Sequence, residues 1–427
     1  MKVLVIGSGA REHAMVWKLR QSRHVTQIYA APGSDGMASL AECVPLKPTQ
    51  LRELADFARE RKIDLTVVGP EDPLVDGIVD LFQRRGLRIY GPTQKAARLE
   101  GSKAFAKEIM SRNGIQTGGH KVYESAQPAL EYLGNCDYPI VIKADGLAAG
   151  KGVTVAKTQE QAEAAVREAM VAKRFGAAGR KLLIEDFLQG EEVSAHAITD
   201  GHTILPLCLA QDHKAVGDGD TGENTGGMGT YSPLPQVSDE HLAAIERDVL
   251  VQTVHAMNRE DVPFKGTLFA GLMMTRQGPK VLEYNVRFGD PETQSILMRM
   301  KGDFYEVLSA TVDGKLDTVE VDWDPRAVVT VVLASGGYPR EFEKGYKIRG
   351  LDSDFGPDVQ VFHAGTKRVD GQWYTNGGRV LSVVAAGADL PDARRKAYDA
   401  IAKIQYDRMV FRKDIGWRAL KAQEGRK

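Results

Sequence analysis

Glu283 and Asn285 stand two residues apart in LEYNVRFGDPE, Leu282 to Glu292. On a strand that spacing turns both side chains to one face. A carboxylate beside an amide oxygen is a hard-oxygen pair suited to magnesium, which takes few protein ligands and completes its shell with phosphate and water. Arg287 follows on the same alternation and would face an anion held there. The run reads as a metal and phosphate site, against the plainer reading of an edge strand with a polar face.

DGLAAGKG, Asp145 to Gly152, resembles a Walker A loop only superficially. Three residues separate Gly146 from Gly150 where that motif needs four, and Gly152 stands where Ser or Thr would bind magnesium. The loop joins two expected strands, the arrangement of a glycine flap that closes over nucleotide phosphates. Lys143 before it and Lys151 within it supply point charges to those phosphates. EDFLQGEE, Glu185 to Glu192, ends another apolar strand. Its backbone can border an adenine edge and Glu192 can accept from ribose hydroxyls, against the plainer reading, which the segment alone favours, of a solvated acidic loop.

GSGAREH, Gly7 to His13, follows a strand and opens a helix, so its amides and helix N-terminus favour a phosphate. Glu12 replaces the third glycine of a dinucleotide fingerprint, and the second strand ends at Ala31-Pro32-Gly33 without the acid that holds an adenosine ribose. A smaller phosphorylated ligand is expected, with Arg11 as a charge-assisted donor. The segment Gly217 to Gly229 lacks the glutamate of a calcium loop at its twelfth position, where Gly229 stands, and reads as a mobile catalytic loop.

These groups need elements to hold them. KVLVI (Lys2 to Ile6), QIYAA (Gln27 to Ala31), DLTVV (Asp64 to Val68) and LRIYG (Leu87 to Gly91) read as strands alternating with helices. Leu51, Leu54, Ala55 and Ala58 make one helical stripe. That pattern predicts a parallel sheet covered on both faces, with ligands beyond the strands' C-terminal ends. After Ser102, an N-cap, Lys103 to Arg112 reads as a helix. PIVIKA (Pro139 to Ala144), VTVA (Val153 to Ala156), a helix over Gln159 to Ala172 and KLLIED (Lys181 to Asp186) form a small α+β unit. LFAGLMM and KVLEYN form an antiparallel pair. A last unit begins near Pro325 with AVVTVVLA, has a strand after Asn376-Gly377-Gly378, and ends in a helix near Asp392 to Lys403.

The expected organisation is α/β and α+β in several domains: an N-terminal parallel α/β sheet domain over 1–102, a central domain over 103–122 and 191–324, a lid subdomain over 123–190, and a small C-terminal α+β domain over 325–427. Length agrees, since 427 residues correspond to roughly two to four domains. Lys plus Arg total 56 against 57 for Asp plus Glu, so no charge excess points to nucleic acid or an anionic membrane. Cys43, Cys136 and Cys208 lie far apart, which fits a reducing cytosol. No run approaches a membrane span and the N-terminus is too short for a signal peptide, so a cytoplasmic protein is expected.

Together Lys143, GLAAGKG, EDFLQGEE and LEYNVRFGDPE resemble the ATP-grasp superfamily in order and spacing. Within it the chain is similar to the phosphoribosylamine–glycine ligase family: GSGAREH, GPEDPLVDG, GPT, EGSKAFAK, QDHK, DTGENTGGMG, HAGT, TNGGRVL and FRKDIGWRAL all look like that family's blocks, from Lys2 to about Leu420. The usual family opening is GNGGREH, where this chain has Ser8 and Ala10. The strand Leu268 to Met274 lacks the acid that many relatives place beside the magnesium pair.

The resemblance implies an N-terminal domain followed by an ATP-grasp fold. It implies a reaction of ATP, glycine and 5-phosphoribosylamine through a glycyl phosphate in purine synthesis, with magnesium or manganese, small-molecule substrates only, and a monomer. It places Lys103, Lys143, Gly150, Lys151 and Gly152 at ATP phosphates, Glu185, Asp186, Phe187 and Leu188 at adenine, and Glu192 at ribose. Glu283 and Asn285 fall at the metal, and Gly7, Ser8, Gly9, Arg11 and Glu71 at the phosphoribosylamine. Asp212, His213, Arg287 and Asp290 fall near glycine and the acyl phosphate. An ATP-grasp carboxylase is the neighbouring alternative; a nicotinamide-dependent dehydrogenase, resting on Gly7 and Gly9, is the alternative of another class, and a non-catalytic nucleotide-binding module is a third.

Overall fold

The computed structural model describes residues 1–147 and 152–424. Five parallel strands open the chain in the spatial order Glu42–Cys43, Gln27–Pro32, Lys2–Gly7, Leu65–Val68, Ile89–Tyr90. Leu4 and Ile6 pack into one apolar cluster and Val3 and Val5 into another, so the sheet is covered on both faces as the near-continuous apolar run predicts. The chain winds one way from Lys2–Gly7 and returns on its other side as Leu65–Val68. The turns after these two strands therefore diverge and leave a crevice between Gly7 and Gly69. The helix Leu51–Glu60 buries Leu54, Ala55 and Ala58, the expected stripe.

Helix Lys103–Arg112 starts where the sequence places it, with Ser102 Oγ accepting the Phe105 N–H. Asp145 Oδ1 accepts the Ala104 N–H at 2.7 Å, which ties the foot of the glycine flap to this helix. The lid is an antiparallel sheet in the order His120–Tyr123, Leu182–Asp186, Ile140–Ala144, Val153–Ala156. The helix expected over 159–172 runs as an α-helix over Gln159–Val166 and continues as a π turn over Arg167–Val171.

The central sheet has the order Ile204–Pro206, Glu191–Thr199, Gly266–Thr275, Gly278–Asn285. Its last pair shifts register between Gly271, opposite Glu283, and Leu272, opposite Val281. Leu282 is the extra residue of this bulge, and its carbonyl accepts from Lys143 Nζ at 3.0 Å. A bulge beside Glu283 thus joins the lid strand to the strand carrying the expected metal pair.

The C-terminal sheet runs Gln211–Asp212, Gly229–Ser232, Ala327–Ser335, Arg379–Gly387, Val359–His363, with Met409–Val410 added against Ala327–Ser335. Helix Leu390–Ile401 covers one face, packing Ala393, Ala397 and Ile401 into the cluster that holds Val329, Val331 and Val383. The first two strands come from the segment expected in the central domain. Sheet membership therefore cuts across a boundary at 325, because the short strand after the glycine-rich segment pairs with the long apolar strand that follows and with the short strand before that segment on its other side. Among the described residues no helix is long and apolar enough to cross a membrane.

Candidate active site

A cleft of about 430 Å³ opens where the N-terminal, lid, central and C-terminal sheets meet. At its lid end Lys143 and Lys107 share one carboxylate oxygen, Glu185 Oε2, at 3.1 and 2.9 Å. All three side chains are buried. Two ammonium groups against one carboxylate leave one net positive charge beside the cleft. Burial draws the Lys107 ammonium down from its ordinary value, with Glu185 opposing. Lys103 Nζ reaches the Gly146 carbonyl at 3.4 Å, and Gly152 lines the cleft. Gly150 and Lys151 lie outside the described residues. Asp186, Phe187 and Leu188 do not line the cleft; Phe187 is exposed, and the Asp186 N–H is spent on the Gly119 carbonyl.

Glu283 and Asn285 both line the middle of the cleft, as their alternation predicts. Lys214 Nζ sits 2.7 Å from Glu192 Oε2 and 4.0 Å from Glu283 Oε1. Although burial favours its neutral form, Glu283 is held below the usual carboxylate range by Lys214, Lys143 and Lys103. Lys214 is pushed up by Glu192 and Glu283 against the effect of burial. An ionised carboxylate and an amide oxygen on one face, beside a surplus of ammonium groups, suit a hard divalent cation carrying phosphate oxygens.

Beyond the pair, Arg287 joins two carboxylates: its Nε lies 2.9 Å from Glu71 Oε2 and its Nη2 3.1 Å from Glu100 Oε1. Its Nη2 also donates to Asn285 Oδ1 at 3.2 Å. Burial raises Glu71, but Arg287 and Arg11 outweigh it and hold the group at about 2. Glu100 is buried deeper, and that burial raises it. The same two arginines thus face two carboxyls displaced in opposite directions, because Glu100 is the more buried and also meets the Glu71 charge.

Arg11 lines the cleft with its Nε 2.6 Å from Glu12 Oε1 and its Nη1 on the Phe288 carbonyl at 3.1 Å. Gly7, Ser8 and Gly9 do not line it. The Gly9 N–H donates to Glu12 Oε2 at 2.7 Å in a capping box. The expectation that the Gly9 amide is free to cradle a phosphate is therefore corrected: the side chain three residues on already holds it. A Cβ at Gly69 would overlap Glu12 Oε1, so this glycine makes room for that carboxylate.

At the C-terminal end, Arg379 Nη2 lies 2.9 Å from Asp290 Oδ2, and its Nη1 donates to the Gly226 and Asp290 carbonyls at 2.6 and 2.9 Å. Against burial, Arg379 and Arg11 hold Asp290 low. Asp212 and Glu292 face the same space; burial and then Glu292 push Asp212 well up, and burial raises Glu292, whose Oε1 accepts from Ser194 Oγ at 2.9 Å. His213 does not reach the cleft. Its Nδ1 meets the Gly229 carbonyl at 3.1 Å, its Nε2 accepts the Gly416 N–H at 3.2 Å, and burial lowers it to about 3. It is a neutral packing group that anchors backbone.

Glu100, Lys107, Lys214, Glu292 and Arg379 are cleft residues that sequence reasoning passed over. Lys107 had a signal: it lies four residues after Lys103 on one helix and so shares its face. Glu100, Lys214 and Arg379 lie in segments noted for their order, with no spacing to mark them as chemical.

The whole chain finds counterparts among known proteins. Models of the phosphoribosylglycinamide synthetase N domain, ATP-grasp (A) domain and C domain match residues 1–100, 101–293 and 328–418. A phosphoribosylamine–glycine ligase from Halalkalibacterium halodurans is 50% identical over 420 residues, covering 98% of this chain and 97% of the relative. The crystal structure of the phosphoribosylamine–glycine ligase from Thermotoga maritima superposes with a TM-score of 0.84 at 32% identity, covering 97% of this chain and 100% of that one. A biotin carboxylase from Campylobacter jejuni shares the fold alone, with a TM-score of 0.76 at 14% identity, over 99% of this chain and 95% of that chain.

Proposed function

The chain belongs to the phosphoribosylglycinamide synthetase family, and from that premise we propose how its cleft forms the amide bond. The protein is an ATP-dependent carbon–nitrogen ligase of purine biosynthesis that joins glycine to 5-phosphoribosylamine, giving glycinamide ribonucleotide, ADP and phosphate. A carboxylate is a poor acyl donor because its oxygen leaves badly. Glycine's carboxylate oxygen attacks the γ-phosphorus of ATP, ADP leaves, and the amine of phosphoribosylamine then attacks the carbonyl carbon of glycyl phosphate and expels phosphate. Charge builds on the transferring phosphoryl group, so positioned cations carry the catalysis.

Lys103, Lys107 and Lys143 take the ATP phosphates. Glu283 and Asn285 hold the divalent cation, which neutralises charge on the phosphates when bound; we assign magnesium, with manganese as its substitute. Glu192 takes the ribose. Arg11, Glu71 and Arg287 border phosphoribosylamine, and Asp212, Asp290, Glu292 and Arg379 border glycine. We place the enzyme in the cytosol as a monomer, since one chain supplies every group named.

One observation carries this reading: lysines, a hard-oxygen pair and an arginine–carboxylate cluster succeed one another along a single cleft. It is tested by leaving out one substrate at a time. Product must require ATP, glycine and phosphoribosylamine together, and turnover that persists without glycine, or with bicarbonate in its place, overturns it. A nicotinamide reading has no support in the glycine turn, which Glu12 fills.

A further inference from the structure

The segment after Lys214 is a short antiparallel hairpin, Ala215–Gly217 against Thr221–Asn224, and its tip is exposed. Lys214, Thr225 and Gly226 at its base line the cleft. An exposed glycine-rich hairpin has little packing of its own and needs an external anchor to keep those residues in place. The anchor is the chain's FRKDIGW segment. Arg412 has no exposed side-chain surface, yet it is a full cation. Its Nη1 lies 2.8 Å from Asp220 Oδ1 and donates to the Ala215 carbonyl at 3.3 Å. Its Nε and Nη2 each bind Asp414 at 2.7 Å.

The bonds around it run both ways between the two segments. The Lys413 N–H donates to Asp218 Oδ1 and the Gly219 N–H to Asp414 Oδ2, both at 2.8 Å, and Arg418 pairs with Asp220. On the other side the Tyr338 hydroxyl accepts the Gly226 N–H at 3.0 Å, and Arg340 pairs with Glu223 at 2.6 Å. The hairpin is fastened on two sides to the C-terminal domain. The segment expected as a mobile catalytic loop is bonded to that domain's surface, and its base reaches the cleft.

We propose that Arg412 is a positioning residue of the ligase, fastening the 215–224 hairpin so that Lys214 and Thr225–Gly226 close the cleft around glycyl phosphate. The inference rests on the ligase reading above. Glycyl phosphate is open to water: water's oxygen bonds to the carbonyl carbon, the carbon–oxygen bond to phosphate breaks, and the proton of the attacking water passes to solvent. Glycine and phosphate result, with ATP spent and no product. A loosened hairpin admits that water.

The test measures ADP and glycinamide ribonucleotide separately, with thermal unfolding in parallel. Wild type yields them in equal amounts; a wild type that makes no glycinamide ribonucleotide refutes the ligase reading and not the clamp. Arg412→Ala should raise the ratio of ADP to product at least about threefold, with KM for ATP within about twofold of wild type. Loss of stability alone lowers both outputs together and leaves the ratio unchanged, so a folded Arg412→Ala enzyme with a wild-type ratio overturns the proposal. If that variant does not fold, Asp220→Asn, a change on the exposed hairpin, decides: a raised ratio supports the clamp and an unchanged one refutes it.

Discussion

Arg287 Nε donates to Glu71 Oε2 at 2.9 Å and so ties the end of the central sheet to the turn after the fourth strand of the N-terminal sheet. The same guanidinium holds Glu100, whose side chain is 7% exposed. Arg287→Met leaves the buried Glu100 carboxylate without its ion-pair partner and removes one from the partly exposed Glu71. Losing one partner of a buried ion pair costs about 3–5 kcal/mol, so urea unfolding should register a loss of that order. Arg287→Lys should recover only part, because an ammonium cannot bridge the two acids as a planar fork does.

Glu71 gives a pH signature with a definite sign. Its carboxyl is held at about 2 in the fold against 4.5 ordinarily, so the folded state releases its proton more readily than the unfolded chain. Its contribution to stability is fully present above pH 4.5 and is lost as pH falls toward 2. Urea midpoints of wild type should therefore fall more steeply across that window than those of Glu71→Gln. Parallel pH profiles for the two proteins would refute the assignment.

Much of this site was legible where chemistry coincides with a local period. Glu283 and Asn285 could be paired because alternation on a strand is a property of adjacent residues, and Lys143 because a strand and a glycine loop bracket it. The N-terminal sheet was readable for the same reason, down to the stripe of Leu54, Ala55 and Ala58. Arg379 and Glu100 were not, because their partners, Asp290 and Arg287, lie far along the chain and only tertiary packing joins them. The glycine-rich 217–229 segment read as a mobile catalytic loop, and composition did not reveal that Arg412 is folded back onto it. The glycine turn misled through a local effect: Glu12, noted as unusual for a dinucleotide site, takes the Gly9 amide for itself.

Glu185 separates two lysines that would otherwise repel at close range. Glu185→Gln should destabilise the free protein by about 3 kcal/mol, the lower end for breaking a buried pair. ATP brings negative charge to the same ammonium groups, so saturating ATP should raise the melting temperature of Glu185→Gln by more than it raises that of wild type. Thermal shift with and without ATP checks this, and equal increments in the two proteins would count against lysine contact with phosphate.

Glu283→Gln keeps the shape of the metal pair and removes its charge. Turnover should fall at least about a hundredfold, the scale of losing a group that stabilises phosphoryl transfer. The metal concentration giving half activity should rise with it. The Lys214 ammonium loses one of its two carboxylates in the same change, so Glu192→Gln is the control: it removes the nearer carboxylate, disturbs Lys214 more, and should still leave the metal dependence near wild type. Metal titrations of the two variants tell the cation site from a general loss of charge balance.

Gly69 probes the crevice at the other end. Its backbone needs no positive φ, so an alanine there is unstrained in itself; the conflict is with Glu12 Oε1, which a Cβ would overlap. Glu12 has little freedom to retreat because the Gly9 N–H and Arg11 Nε fix its two oxygens at 2.7 and 2.6 Å. Gly69→Ala should therefore cost about 1–3 kcal/mol of overpacking and push Arg11 away from the cleft with its carboxylate. Steady-state kinetics should show KM rising for phosphoribosylamine and holding for ATP, whose lysines lie on the Lys103–Arg112 helix and the lid sheet. Shortening the acid should relieve the crowding, so the Gly69→Ala, Glu12→Asp double variant should be more stable than the sum of the two single losses predicts. Strict additivity would mean that the turn yields elsewhere and that Glu12 does not set its shape.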